Sequence, residues 1–479
     1  LRAHRLHIFA RQLHGRIAAH RSGKASVSRS SAISFLPYPS AKPRLRLVRI
    51  IEMNLGFFGL QFSFGLQQAN MGPIYGTLGA NEASIPLLWI AGPMTGLLVQ
   101  PIVGVLSDRT LSPLGRRTPW FLVGAMLCSL ALLAMPHSSA VWMAAGLLWM
   151  LDAGNNTTME PYRAYVADRL GPEQRSLGFL TQSAFTGLAH TLSYLAPSLM
   201  ALVVDRNLLD ANGIPAIVRM AFVTGAILSI STILYSILRV PELPLTPAER
   251  AAILAQKRGL PAALRELRQA IVQMPRPMRQ LALAMLCQWY AMMVYWQYIS
   301  FALARSLFGG AHPGTAAFRA AVLTAQQLGA AYNFVAFCAA MALVPVVARF
   351  GARRAHVACL AASGGAMLLV PSAPSFTVLA VLMVGVGLGW AGMMGNTYVM
   401  LAESIPAARN GVYMGIFNMF IVIPMLFENL TLPLLYGPVL GNDARNALIL
   451  AGSLMLCGAL ATLLVRAGGP PRETRHPIQ

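Results

Sequence analysis

The chain has 479 residues, of which 56% are hydrophobic and 11% charged, with a mean hydropathy of +0.58. Soluble domains carry roughly a quarter charged residues, so these proportions exclude an ordinary water-soluble protein and place the chain in lipid. The net charge of +21 raises nucleic acid as a partner, and only the distribution of that charge along the chain decides the matter.

Residues 1–47 form a basic extension rich in Arg, Ser and His, without an acidic residue. Its composition is that of a transit peptide, yet it lacks the apolar core of a secretory signal. It is expected to be a disordered tail, or to precede the true start, and to be dispensable.

From residue 48 onward the sequence holds twelve apolar stretches, at 48–75, 86–107, 119–136, 140–167, 177–203, 217–239, 278–304, 322–348, 354–371, 375–402, 410–436 and 444–466. A span needs about 20 such residues. The predicted fold is an all-α membrane protein with twelve transmembrane helices in two six-helix bundles, 48–240 and 278–467. A cytoplasmic linker, 241–277, joins the bundles, and a short tail, 468–479, follows. Within the linker, Thr246-Pro247-Ala248-Glu249 reads as the capped start of a short surface helix. On this count the Lys and Arg of 1–50, 108–118, 168–177, 239–280, 349–354, Arg409 and the tail share one side. Only Arg206, Arg219, Arg305, Arg319 and Arg445 fall opposite, and Arg163 lies inside a span. This is the positive-inside pattern: both termini and the linker are expected in the cytoplasm of a bacterial inner membrane, and nucleic acid is not needed to explain the charge.

Cys128, Cys287, Cys338, Cys359 and Cys457 all lie in spans without ligand spacing, and are expected to be small buried residues with no metal site. Gly92 and Gly96, Gly385 and Gly389, and Gly411 and Gly415 have the small-xxx-small spacing of close helix contacts. The run Gly387 to Gly392 fits a dinucleotide fingerprint but sits mid-span with no preceding strand, so that reading fails. No hydrolase or P-loop pattern occurs, and an enzyme is not expected.

Ionisable groups within lipid cost about 2.5 to 3.5 kcal/mol each on insertion scales, so Glu52, Asp152, Glu160, Arg163 and Glu428 stand out. At 100° per residue Asp152, Asn156, Met159 and Arg163 share one narrow face of the fourth span, which should line a cavity. Asp152 is halfway through the span. Arg163 is about 16 Å further on, too far for an ion pair, so its local partner is Glu160 at i and i+3. A carboxyl at that depth has its charged form disfavoured, which suits loading and releasing a proton.

Several separated stretches resemble the sucrose transporter branch of the major facilitator superfamily, including its bacterial members related to glycoside:cation symporters. They are Gly59-Leu60-Gln61-Phe62 with Leu66-Gln67, Trp89 to Gly104 with Ser107-Asp108-Arg109, and Gly115-Arg116-Arg117-Thr118-Pro119. The fourth-span set Asp152, Asn155, Asn156, Pro161, Arg163, Ala164 and Asp168, and the run Gly411 to Asn418, complete them. The resemblance implies the major facilitator fold, with Asp152 as the proton-coupling acid and Arg163 in coupling or gating. Glu160 joins Arg163 as its local partner. Asp108, Arg109, Gly115, Arg116 and Arg117 would form a cytoplasmic latch between the bundles, a reading that a tight charged loop also supports.

Two departures appear: Met159 and Glu160 replace a polar and small pair before Pro161, and an acidic cluster at the outer end of the seventh span gives way to Gln288, Trp289, Tyr290, Tyr295, Trp296, Gln297 and Tyr298. Aromatic faces suit sugar rings and amides suit hydroxyls. Candidate substrate contacts are therefore Gln61, Asn155, Asn156, Trp289, Tyr290, Trp296 and Asn396, with Glu428 as a possible second titratable site. The expectation is uptake of a disaccharide, sucrose or a maltose-like α-glucoside, with the proton as coupling ion and no other cofactor. The rivals are a cation-coupled carrier or exporter of another polar solute, and a non-transporting membrane sensor.

Overall fold

In lipid a backbone can satisfy its polar groups only within its own segment, so apolar stretches of this length close as helices. The computed structural model describes residues 42–255, 265, 268–310, 312–402 and 410–465. Among these residues twelve long helices are seen. The first six are α1 Leu47–Thr77, α2 Ala91–Arg109, α3 Thr118–Ala134, α4 Val141–Arg169, α5 Pro172–Met200 and α6 Ala216–Arg239. The second six are α7 Arg276–Ser306, α8 Ala316–Phe350, α9 Ala352–Leu369, α10 Phe376–Ala402, α11 Asn410–Tyr436 and α12 Ala444–Leu463. A 3-10 turn at Glu82–Ser84 and a short helix at Ile85–Leu88 lead into α2, and the linker carries the expected short helix, Pro247–Ala255. Much of the basic extension, the middle of the linker, Arg409 and the tail lie outside the described residues.

Eight of the twelve are long and apolar enough by themselves to cross a membrane. The other four, α1, α4, α5 and α7, carry buried polar side chains such as Gln67, Asp152, His190 and Gln297. The protein is an integral, multi-pass membrane protein.

In the first bundle α1 packs on α4, α5 and α6, while α2 and α3 pack on α4. In the second, α7 packs on α8, α11 and α12, and α9 on α10 and α12. The bundles meet chiefly where α5 faces α8, with α2 against α11 and α1 against α7. The predicted close approach holds at Gly385, where an added Cβ would lie 2.7 Å from the Ala362 carbonyl, and at Gly389, where it would overlap the Ser363 side chain. It does not hold at Gly415, which has open space around it. The cysteines also differ from expectation. Cys128 and Cys359 are buried, but Cys338 and Cys457 lie on the outer helix surface, where lipid rather than protein covers an apolar side chain.

Candidate functional site

Pro161 sits inside α4 and the polar residues before it turn inward. Asp152 is 1% exposed, and its Oδ1 accepts a hydrogen bond of 2.7 Å from Gln67 Nε2 on α1. A Cβ added at Gly92 on α2 would lie 3.5 Å from Asp152 Oδ2, so the absence of a side chain there leaves room at the carboxylate. Among the described residues no Lys, Arg or His forms an ion pair with it. One turn along the same face, Asn156 donates to the Asp152 carbonyl at 2.8 Å and to Thr95 Oγ1 at 2.9 Å, and accepts from Gln100 Nε2 at 2.5 Å. Gln100 in turn accepts from Asn418 Nδ2 on α11 at 3.3 Å. A chain of neutral hydrogen bonds thus runs from the helix that holds the acid into the other bundle.

Asn155 is placed differently from Asn156. Being 100° around the helix, it turns into the first bundle, where its Oδ1 accepts from Ser63 Oγ at 2.6 Å and Cys128 Sγ at 3.1 Å. As a direct solute contact it is therefore misplaced, and it acts as a brace for Gln67 and Ser63. Gln61 shares a hydrogen bond of 3.1 Å with His190 on α5. Arg163 pairs with Glu160 at 3.1 Å as the spacing predicts, with 47% of its side chain exposed. Glu52, also singled out, is held by Arg49 at 2.8 Å and Arg239 at 2.7 Å, an ion cluster that ties α1 to α6 rather than a solute site.

Of the expected latch, Asp108, Arg116 and Arg117 form ion pairs inside the first bundle. Arg117 pairs with Asp108 at 2.5 Å and Asp168 at 3.2 Å, and Arg116 with Asp168 at 2.5 Å, all within the first bundle. Arg109 is exposed at the end of α2. The reason is local: Gly115 has φ 114° and turns the loop back over its own bundle. Glu242, at the start of the linker, then accepts the backbone N–H groups of Arg116, Arg117 and Thr118 at 2.9, 2.9 and 2.6 Å.

A cross-bundle clasp lies at the opposite face. Glu82, just before α2, receives Arg305 of α7 through Nη1 at 2.8 Å and Nη2 at 2.9 Å. Tyr436 of α11 donates to Glu82 Oε2, and Tyr298 of α7 donates to the Glu82 carbonyl at 2.8 Å. Asp443 stands 4.0 Å from Arg305. At Asp443, which lies between spans, partial burial works to raise the carboxyl pKa, but hydrogen bonds from Arg445 and the nearby arginine charges outweigh it and hold the group below its usual range. Inward of the clasp the seam continues: Gln326 of α8 donates to Asn70 Oδ1 at 2.9 Å, and Gln327 to Ser198 at 3.2 Å.

The second bundle's candidates are buried against one another. Trp289 and Trp296, one α-helical heptad apart on α7, pack edge-on against Trp390 with ring centroids at 5.8 and 5.4 Å. Trp296 Nε1 donates to Tyr332 at 3.0 Å, and Tyr290 shares a 3.0 Å hydrogen bond with Thr431. Asn396 is buried with Nδ2 unpartnered. Glu428 is fully buried beside Gln297. Glu82, Arg305, Tyr436, Gln100 and His190 were not signalled as site residues by the sequence. Arg305 belonged to the small set of arginines on the far side, and that scarcity was the one usable signal.

The Major Facilitator Superfamily profile matches residues 53–309, more than half of the chain. Sucrose transport protein SUT5 of Oryza sativa subsp. indica is 24% identical over 488 positions, covering 87% of this chain and 88% of that protein. Sucrose transport protein SUC3 of Arabidopsis thaliana is 32% identical over 160 positions, covering 29% of this chain and only 27% of that protein's length. Among solved structures, the nucleoside transporter NupG superposes with a TM-score of 0.63 at 12% identity, covering 88% of this chain and 99% of that one. The peptide transporter POT in complex with sulfate also gives 0.63, at 16% identity, over 88% and 95%. These likenesses establish the architecture of two packed six-helix bundles. The chain belongs to the Major Facilitator Superfamily, and within it its similarity runs to the sucrose transport proteins.

Proposed function

We propose that the protein takes up a disaccharide, sucrose or a maltose-like α-glucoside, by proton symport, the two bundles alternately opening a shared pathway. The arginine-rich face is cytoplasmic and the clasp face external. The observation that carries the reading is Asp152, buried halfway along a span with Gln67 as its side-chain partner. In such surroundings a carboxyl is far cheaper to keep neutral than charged, so it gains a proton before its site crosses the membrane and sheds it where water reaches it. Asn156, one turn from the acid, and Gln61, paired with His190 on α5, are the amides assigned to sugar hydroxyls, which would displace their present partners. The name of the relatives supports the sugar, and the closed clasp on one face supports alternation.

The test is uptake of labelled sucrose and maltose by the full chain in proteoliposomes under an imposed pH gradient. Asp152→Asn keeps the shape and hydrogen bond of the side chain but cannot cycle a proton. It should abolish gradient-driven accumulation and spare sugar-for-sugar exchange. Accumulation by Asp152→Asn equal to that of the parent would move the proton elsewhere.

A further inference from the structure

The second bundle holds a carboxyl of its own that the mechanism above leaves unused. Glu428 of α11 is 0% exposed, and Gln297 Nε2 on α7 reaches its Oε2 at 3.2 Å while also donating to Asn429 Oδ1 at 2.9 Å. Glu428 Oε1, Gln297 Oε1 and Asn429 Nδ2 remain without a partner although all are buried. A buried polar atom left unpaired costs about 1 to 3 kcal/mol, so three in one cluster mark a place built for something that exchanges. Protonating Glu428 adds a donor to a cluster that holds a free Gln297 oxygen and removes the buried charge at the same time.

The cluster is also placed to exchange. A Cβ added at Gly72 on α1 would meet the Gln297 carbonyl at 3.4 Å, so the seam between the bundles runs beside it and not lipid. Tyr298, next in sequence to Gln297, and Tyr436, about 12 Å beyond Glu428 on α11, both hold Glu82 in the clasp. The clasp therefore lies about two helical turns beyond Glu428 and is held by the same two helices, α7 and α11. The other titratable groups in this region are Tyr290 and Tyr298 from α7, Tyr436 from α11 itself, and Glu82 from the approach to α2. The charge of Glu82 is taken up by Arg305.

We infer that Glu428, with Gln297 and Asn429, is a second proton site, so that each bundle carries one carboxyl and two protons move with each sugar. This rests on the proton-symport reading for its stoichiometric arm only. In that arm, the reversal potential of sucrose flux in proteoliposomes gives the proton-to-sugar ratio, expected to be two in the parent and one in Glu428→Gln. A ratio of one in the parent overturns the proposal. If no proton-driven flux is found at all, the symport reading fails, and a spectroscopic arm still decides Glu428. Infrared difference spectra of the purified protein between acid and alkaline pH should show two buried carboxyl bands, one lost in Glu428→Gln and the other in Asp152→Asn. The surviving Asp152 band shows that Glu428→Gln is folded, and Gln297→Leu should shift the Glu428 band without removing it. Spectra of Glu428→Gln that superimpose on those of the parent would overturn the site.

Discussion

Glu82→Gln tests the clasp directly. The substitution keeps the size of the side chain and removes the charge that Arg305 grips at 2.8 and 2.9 Å, with 27% of the arginine and 19% of the glutamate side chain exposed. Removing one partner of a hydrogen-bonded charge pair costs about 2 kcal/mol or more where the pair is fully buried, and the partial exposure here puts this pair near the lower end. Since the pair joins the bundles only while this face is closed, its loss raises the population open to the outside by roughly 30-fold. Ser300 on α7 lines the narrow gap just inside the clasp, with Tyr194 and Gln326 across from it. A cysteine at position 300 should react slowly with an impermeant maleimide added outside, and roughly 30-fold faster in the Glu82→Gln background, against a parent without the added cysteine. Exchanging the charges, Glu82→Arg with Arg305→Glu, should slow the reaction again. An unchanged rate in Glu82→Gln would refute the assignment of the clasp as a gate, whatever solute is carried.

Gly329→Ala drives a Cβ into the Tyr194 ring across the α5 and α8 contact. It should lower the thermal stability in detergent by about 1 to 3 kcal/mol and speed labelling at position 300 as the bundles part. Glu242→Gln weakens the acceptor for three backbone N–H groups at the start of α3. A loss of about 2 kcal/mol in melting experiments is expected, with the sugar affinity unchanged.

The spans and their division into two bundles were readable because length and apolar composition alone decide whether a segment can cross, and because Lys and Arg crowd into every second connection between spans. The fourth predicted span, 140–167, and the observed α4, Val141–Arg169, differ by two residues at most. The pairing of Glu160 with Arg163 was likewise local, fixed by one turn of one helix. The partners of Asp152 and Asn156 were not, since Gln67, Thr95 and Gln100 come from two other helices and only packing brings them together. The latch was legible only in part for a related reason: charge composition places the loop at one face but does not say which neighbours each arginine meets. A single positive φ at Gly115 and one acidic residue 127 positions later, Glu242, hold Arg116 and Arg117 against the first bundle. The tryptophans of α7 show the same limit from the apolar side. A heptad spacing is compatible with a sugar platform or with a core, and Trp390 on α10 makes it a core.

One helix receives contacts from both candidate proton sites, and its sequence suits that position. Near its start α11 meets the Asp152 network through Asn418 and Gln100, and further along it carries Glu428 and then Tyr436 of the clasp. Asn418 and Glu428 are about 15 Å apart along the axis, with Pro424 between them. A proline inside a helix removes one hydrogen bond and crowds the carbonyl four residues earlier, which makes Pro424, like Pro433 further along, a place where α11 bends at low cost. In the proposed cycle, protonation of Asp152 would act on α11 before the bend and opening of the clasp after it. A rigid α11 would impose each movement on the other at full amplitude. With a bend at Pro424, the two halves can respond in sequence, as a cycle requires in which one face closes before the other opens.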